Sequence, residues 1–312
     1  MKTNKLLPYL MLIGATFLWS TNFALGKYLV TIPPLLIGTV RFTVAALIFL
    51  PLLIRSKTKF PSGKLFWTLL IMGITGVFLF NPLIYLGLHY TTSINATLIN
   101  SLTPLTVAIL SYFGLKEKFH KTTLLGLFLS IVGVSFIASE GNLSRLLTLQ
   151  LNLGDMIVLL ASIMWAIYTV LVKVSSNELT SVQSTGLGMF FGLIFLIPAT
   201  TVQSIWQPLP HLSLHIILIM IYLGIFPSVV SFLLWNTAVS QIGPSRAGLF
   251  TNLIPAFNII LASQFLHERI YIYHLFGFLL IFVGVLIPSL SSFTRAEVKP
   301  RDTSSSKNSP ST

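Results

Sequence analysis

The residues of this chain that could do chemistry away from water are few, and most are amides. Asn22, Asn81, Asn100, Asn236 and Asn252 lie within long apolar stretches. An amide in hydrocarbon costs several kcal/mol unless it finds a partner, so all five should face the protein interior. Each could meet a bound solute or tie helices together. Arg41 is the one cation inside such a stretch, seven residues beyond Pro34 and well before the basic cluster that starts at Arg55. Snorkelling to that cluster is difficult, and the opposite surface is about two helical turns away. Its guanidinium suits two tasks: bonding backbone carbonyls within a bundle, or attracting a carboxylate.

The acids are placed differently. Glu117, Glu140, Asp155, Glu178, Glu268, Glu297 and Asp302 all fall in loops, tails or helix ends. No mid-membrane carboxylate is available for a proton relay or a polyvalent-cation site. Glu117 and Glu268 have basic neighbours and read either as interfacial anchors or as gating contacts. Pro104 and Pro255 are expected to remove a backbone hydrogen bond in mid-helix and kink it, which shapes packing or opens a hinge. His89, His120 and His274 lie near expected interfaces. No GxxxxGK[ST] or HExxH run is present, and no metal or cofactor is expected.

The elements that position these groups must live in lipid. Of 312 residues 54% are hydrophobic and only 8% charged, too few ionisable groups to cover a water-soluble fold of this size. Apolar runs occupy 7–25, 35–54, 65–86, 96–115, 123–139, 153–173, 182–202, 216–239, 247–266 and 273–290. At 1.5 Å per residue each can cross a ~30 Å hydrocarbon layer, and their continuity favours helices over barrel strands. Lys2 and Lys5 ahead of the first run resemble a signal peptide, but the next run follows at once, so a retained first helix is expected. The fold class is therefore an all-α polytopic membrane protein of ten transmembrane helices.

The basic residues set an orientation. With a cytoplasmic N-terminus, fifteen of the 19 Lys and Arg fall on the cytoplasmic side, and only Lys27, Arg145 and Arg269 on the other. Both termini are then cytoplasmic. The net charge of +12 is dispersed among loops rather than gathered on one face, which argues against nucleic acid. The polar segment 291–312 is expected to be a disordered cytoplasmic tail.

The chain also matches itself. Placing Pro104 on Pro255 brings Leu115 and Glu117 onto Leu266 and Glu268, Gly126 onto Gly277, and Gly133 onto Gly284. A slightly smaller offset pairs Trp19 with Trp165 and Lys27 with Lys173. Two five-helix repeats follow, 1–139 and 153–290, joined by a loop at 140–152. Because five is odd, the second repeat is inverted, an arrangement suited to alternating access. Gly73, Gly76, Gly186, Gly188 and Gly192 mark places where helices can approach closely.

Phe17-Leu18-Trp19-Ser20-Thr21-Asn22-Phe23, Arg41-Phe42, the paired Leu-x-Glu helix ends, Leu234-Trp235-Asn236 and Ser245-Arg246-Ala247 together resemble the drug/metabolite transporter superfamily, in its ten-helix members with two EamA domains. The resemblance covers residues 7–290. It implies alternating access around a central cavity, often for export of amino acids or related metabolites. In such proteins the first, third and fourth helices of each half line the cavity. By that likeness Trp19, Asn22, Asn81, Tyr85 and Asn100 would face it, with Trp165, Tyr168, Asn236 and Asn252 from the second half.

The expected partners are the lipid bilayer and a small polar metabolite, in a bacterial inner membrane. A receptor or scaffold without transport, or an intramembrane enzyme, are the alternatives. The enzyme would want a mid-membrane His/Asp or Ser/His cluster, which the sequence lacks.

Overall fold

The computed structural model describes residues 6–26, 29, 31–91, 96, 99–117, 121–139, 141, 142, 144, 152–206, 210, 212–265 and 271–297. These are helical nearly throughout, with no strand among them. In chain order the spans are α1 (Leu7–Gly26), α2 (Pro34–Arg55), α3 (Gly63–Tyr90), α4 (Thr103–Leu115) and α5 (Lys121–Ala138). The second half contains α6 (Leu153–Ser175), α7 (Ser181–Trp206), α8 (Leu214–Ile242), α9 and α10 (Ile272–Glu297). α9 comes in three pieces: a helix Pro244–Gly248, a 3₁₀ turn Leu249–Asn252 and a helix Leu253–Phe265. Five of the spans, α2, α3, α6, α7 and α8, are each long and apolar enough to cross a bilayer on their own. Shorter apolar helices at Thr103–Leu115, Lys121–Ile137 and Leu275–Pro288 accompany them.

The packing follows the inverted repeat. α1 lies against α8 and α9, and its repeat mate α6 lies against α3 and α4. α2 meets its own mate α7, and α5 meets its own mate α10. Reversing the roles of the two halves leaves this pattern unchanged, as a pseudo-two-fold axis requires. The halves are interleaved rather than set side by side, so the core belongs to both.

Glycines permit the closest of these contacts. A Cβ on Gly133 would lie 2.7 Å from the Gly277 carbonyl oxygen, and one on Gly284 would lie 2.6 Å from that of Gly126. Between α2 and α8 the same holds for Gly224, whose added Cβ would sit 2.7 Å from Val44 Cβ. The expected close approach at Gly73, Gly188 and Gly192 is present: a Cβ on Gly73 would come within 2.7 Å of the Gly192 nitrogen.

Both third helices contain a π-helical stretch, Gly73–Leu79 in α3 and Gly224–Val230 in α8. Their starts are separated by the same spacing that relates Pro104 to Pro255. The wider i→i+5 winding is rare in proteins and concentrates at functional sites. Here side chains five residues on bond to carbonyls of the widened turns. Asn81 Nδ2 donates to the Gly76 carbonyl at 3.3 Å, and the Ser228 and Ser231 hydroxyls donate to Leu223 and Phe226 at 2.9 and 3.2 Å.

Two sequence expectations are corrected. Pro104 is the second residue of α4, just after a turn at Ser101 and Leu102, and Pro255 is the third residue of the last piece of α9. Neither kinks a helix in its middle. In a first turn the missing N–H has no intrahelical role, so each proline starts a helix beyond a break that precedes it. The last helix also runs to Glu297 rather than ending at 290, because a helix need not stop where its apolar pattern stops.

Candidate functional site

Aromatic side chains from both halves converge around the pseudo-two-fold axis. Trp19 and its repeat mate Trp165 meet edge to face with ring centroids 5.0 Å apart. Phe80 packs on Trp165 at 4.8 Å, Tyr168 stacks on it at 5.0 Å, and Phe232 contacts it edge-on at 5.5 Å. Trp235, fully buried, closes on both tryptophans. Such pairings add about 0.5–1.5 kcal/mol each beyond area burial. Trp19 Nε1 is spent on the Pro227 carbonyl in the α8 π stretch, at 3.0 Å.

Inside this cage lies a cavity of about 30 Å³ lined by Trp19, Asn22, Phe80, Asn81, Ile84, Asn100, Trp165, Phe232, Thr251 and Ile254. That volume holds a water or two and is far smaller than a metabolite pocket. Five of the ten residues expected at a cavity therefore line this one: Trp19, Asn22, Asn81, Asn100 and Trp165. The sequence reading missed Phe80, Ile84, Phe232, Thr251 and Ile254, yet two of these, Phe232 and Thr251, are the repeat mates of Asn81 and Asn100. Only the shared offset could have found those two, because the residue types differ.

The other five stand behind the wall. Arg41 is 1% exposed, its side chain enclosed by the protein. Its Nη1 donates to Asn22 Oδ1 at 2.9 Å, Asn81 Oδ1 at 3.2 Å and the Tyr85 hydroxyl at 2.6 Å. Nε and Nη2 donate to Ser228 Oγ at 3.3 and 3.1 Å, which carries the contact into the second half. Its guanidinium carbon also lies 5.6 and 5.9 Å from the ring centroids of Phe42 and Tyr85, within cation–π range. Tyr85 donates in turn to Asn22 Oδ1 at 2.6 Å.

A second cluster occupies the corresponding place in the other half. The Tyr168 hydroxyl donates to Asn236 Oδ1 at 3.0 Å, and Asn236 Nδ2 donates to Thr185 Oγ1 at 2.7 Å. Tyr168 is the repeat mate of Asn22, and Asn236 is the mate of Tyr85. The phenol–amide bond is thus kept while its two ends are exchanged, and Arg41 has no cationic counterpart in this cluster. Asn252 is fully buried beside the cavity-lining Thr251, and neither amide atom has a hydrogen-bond partner among the described residues.

Polar contacts between halves also cap the bundle at two levels. Glu117 Oε2 accepts the Ser245 hydroxyl, so among the described residues its partner lies across the interface rather than at the neighbouring Lys116. Gly243 makes room for this: its φ of +87° favours glycine, and a Cβ there would sit 2.7 Å from Glu117 Oε1. Elsewhere the Thr91 hydroxyl donates to Asp155, which also closes a capping box with Asn152 at the start of α6. Glu268 lies outside the described residues.

The comparisons with known proteins agree with this architecture. The profile of the EamA-like transporter family matches residues 6–139 and 152–290. Over 284 residues the chain is 31% identical to the "Uncharacterized transporter YyaM" of Bacillus subtilis (strain 168), covering 90% of this chain and 93% of that one. The "Uncharacterized transporter YetK" of the same organism is 29% identical, with 89% and 86% covered. An "Uncharacterized transporter" of Archaeoglobus fulgidus is 28% identical, with 92% and 96% covered. A solved structure titled "Crystal structure of protein" superposes with a TM-score of 0.75 at 18% identity, covering 92% of this chain and 98% of the other.

Proposed function

Since the chain belongs to the EamA-like transporter family, we propose that it is an alternating-access secondary transporter or facilitator of small polar metabolites, working in export of amino acids or related compounds. The observation that carries this reading is the cavity on the axis between two interleaved, inverted halves, lined by both. Inverted repeats can exchange conformations, so a site shared between them can open to one side and then to the other. At about 30 Å³ the cavity is too small for an amino acid, and the halves must part for loading. No mid-membrane carboxylate supports a proton relay, so facilitated exchange is the simplest mode. By the distribution of Lys and Arg, both termini face the cytoplasm, in the inner membrane of a bacterium.

The test is exchange of a panel of labelled amino acids by the purified protein in liposomes, with and without an imposed pH gradient. Saturable exchange of one class supports the reading, and accumulation driven by the gradient would overturn its uncoupled form. An absence of movement for amino acids, nucleosides and sugars alike, with folding verified, would sink it.

A further inference from the structure

The chemistry at the cavity wall is one-sided. Arg41 is buried, and among the described residues every hydrogen bond it donates to a side chain ends on a neutral oxygen: Asn22, Asn81, Tyr85 and Ser228. Neutral oxygens solvate a guanidinium without cancelling its charge, and a buried cation is ordinarily paired. None of the described carboxylates reaches it: Glu117 and Asp155 are engaged at the ends of the bundle, and the cavity lining contains no acid.

Arg41 also decides what Asn22 shows to the cavity. A guanidinium has donors only, so the Asn22 atom facing it must be Oδ1, which accepts from Tyr85 as well. The Asn22 Nδ2 group is turned away from that cluster and forms no hydrogen bond among the described residues. Asn22 lines the cavity. A cation bonded to one end of an amide polarises it and strengthens the donor at the other end. The cavity therefore offers a donor backed by a positive charge and no anionic partner of its own. Around that donor stand Trp19, Phe80, Trp165 and Phe232.

We propose that the substrate is a monocarboxylate with an apolar or aromatic body, its carboxylate received at Asn22 in the field of Arg41 and its body held by the Trp19–Trp165 cage. This rests on the reading of the cavity as the transport site. An ammonium group, if present, finds no carboxylate here and is dispensable for recognition.

The full-length protein in nanodiscs, titrated with 3-phenylpropionate, 3-phenylpropionamide and phenethylamine while thermal stability is monitored, tests it. The expected result is saturable stabilisation by the acid at least tenfold tighter than by the amide or the amine. Arg41→Gln should abolish that preference. Because Arg41→Gln could fail to fold, Asn22→Asp is the second variant. It installs a carboxylate against Arg41 at unchanged size, and should keep or raise the melting temperature while weakening the acid at least tenfold. A residue with a purely structural role would not give that combination. Equal binding of acid and amide, preference for the amine, no response to the acid, or full acid binding in Asn22→Asp would each overturn the proposal. Exchange in liposomes separates it from the transport reading. Exchange of the amine or amide without the acid sinks the anion site and leaves transport standing, whereas acid binding without exchange does the reverse.

Discussion

Trp19 and Trp165 occupy equivalent places in the two repeats and touch each other, with ring centroids 5.0 Å apart and planes at 88°. Repeat mates touch only near the axis that relates them, so this contact locates the axis at the cavity they both line. They are not equivalent in hydrogen bonding. Trp19 Nε1 holds the Pro227 carbonyl at 3.0 Å, and Trp165 has no matching bond among the described residues.

Trp19→Phe should therefore destabilise more than Trp165→Phe, by about 1 kcal/mol for the lost bond. A double substitution should show a coupling of about 0.5–1.5 kcal/mol. Melting in detergent measures both, and equal single effects would remove the asymmetry.

Gly76→Ala should sharply lower the yield of folded protein. The added Cβ would enter the Tyr168 ring, and overpacking of a filled site costs about 1–3 kcal/mol. Combining it with Tyr168→Ala should recover folding relative to Gly76→Ala alone. A double variant no better than the single one would place the clash elsewhere.

Two buried amides should answer oppositely to the same change. Asn236→Leu strips partners from Tyr168 and Thr185 and should cost about 1–3 kcal/mol. Asn252 has no partner to lose among the described residues, so Asn252→Leu should leave the melting temperature unchanged or raise it. Similar losses at both positions would mean that Asn252 is satisfied in the native membrane.

If the halves part during exchange, joining them across Glu117 and Ser245 should stop it. A Glu117→Cys, Ser245→Cys pair in this cysteine-free chain, bridged by a short bifunctional thiol reagent, should lose at least nine-tenths of its exchange activity. Either single cysteine treated alike should lose little. Unimpaired exchange in the bridged pair would show that this contact does not have to open.

The helical membrane fold was legible because lipid demands continuous apolar runs, and ten of them were countable. The inverted repeat was legible because Pro104, Glu117, Gly126 and Gly133 keep one register with their mates. The breaks before Pro104 and Pro255 were not. Asn100-Ser101 and Thr251-Asn252 stand there, but a polar run such as Ser20-Thr21-Asn22 sits inside a continuous helix, and hydropathy carries no backbone dihedral. The π stretches at Gly73 and Gly224 lacked a residue signature for the same reason. Two cavity residues were missed where repeat mates differ in type: a search for identities passes over Asn81 opposite Phe232 and Asn100 opposite Thr251. Phe80, Ile84 and Ile254 were missed because an apolar residue carries no mark that it faces a cavity rather than a neighbouring helix or lipid. The bond pairs Asn22–Tyr85 and Tyr168–Asn236 were hidden by the exchange of their ends.

That exchange has an electrical consequence. The backbones of the two repeats are related by symmetry, but the fixed charge belongs to one of them. A conformational swap between the halves would therefore leave Arg41 in different surroundings in the two end states, which are not electrically equivalent. A membrane potential acts on whatever part of its depth that charge crosses, at about 2.3 kcal/mol per full charge for 100 mV. With an anion aboard the moving unit is nearly neutral, and the potential falls instead on the empty protein. Voltage would then set the rate at which the unloaded carrier resets.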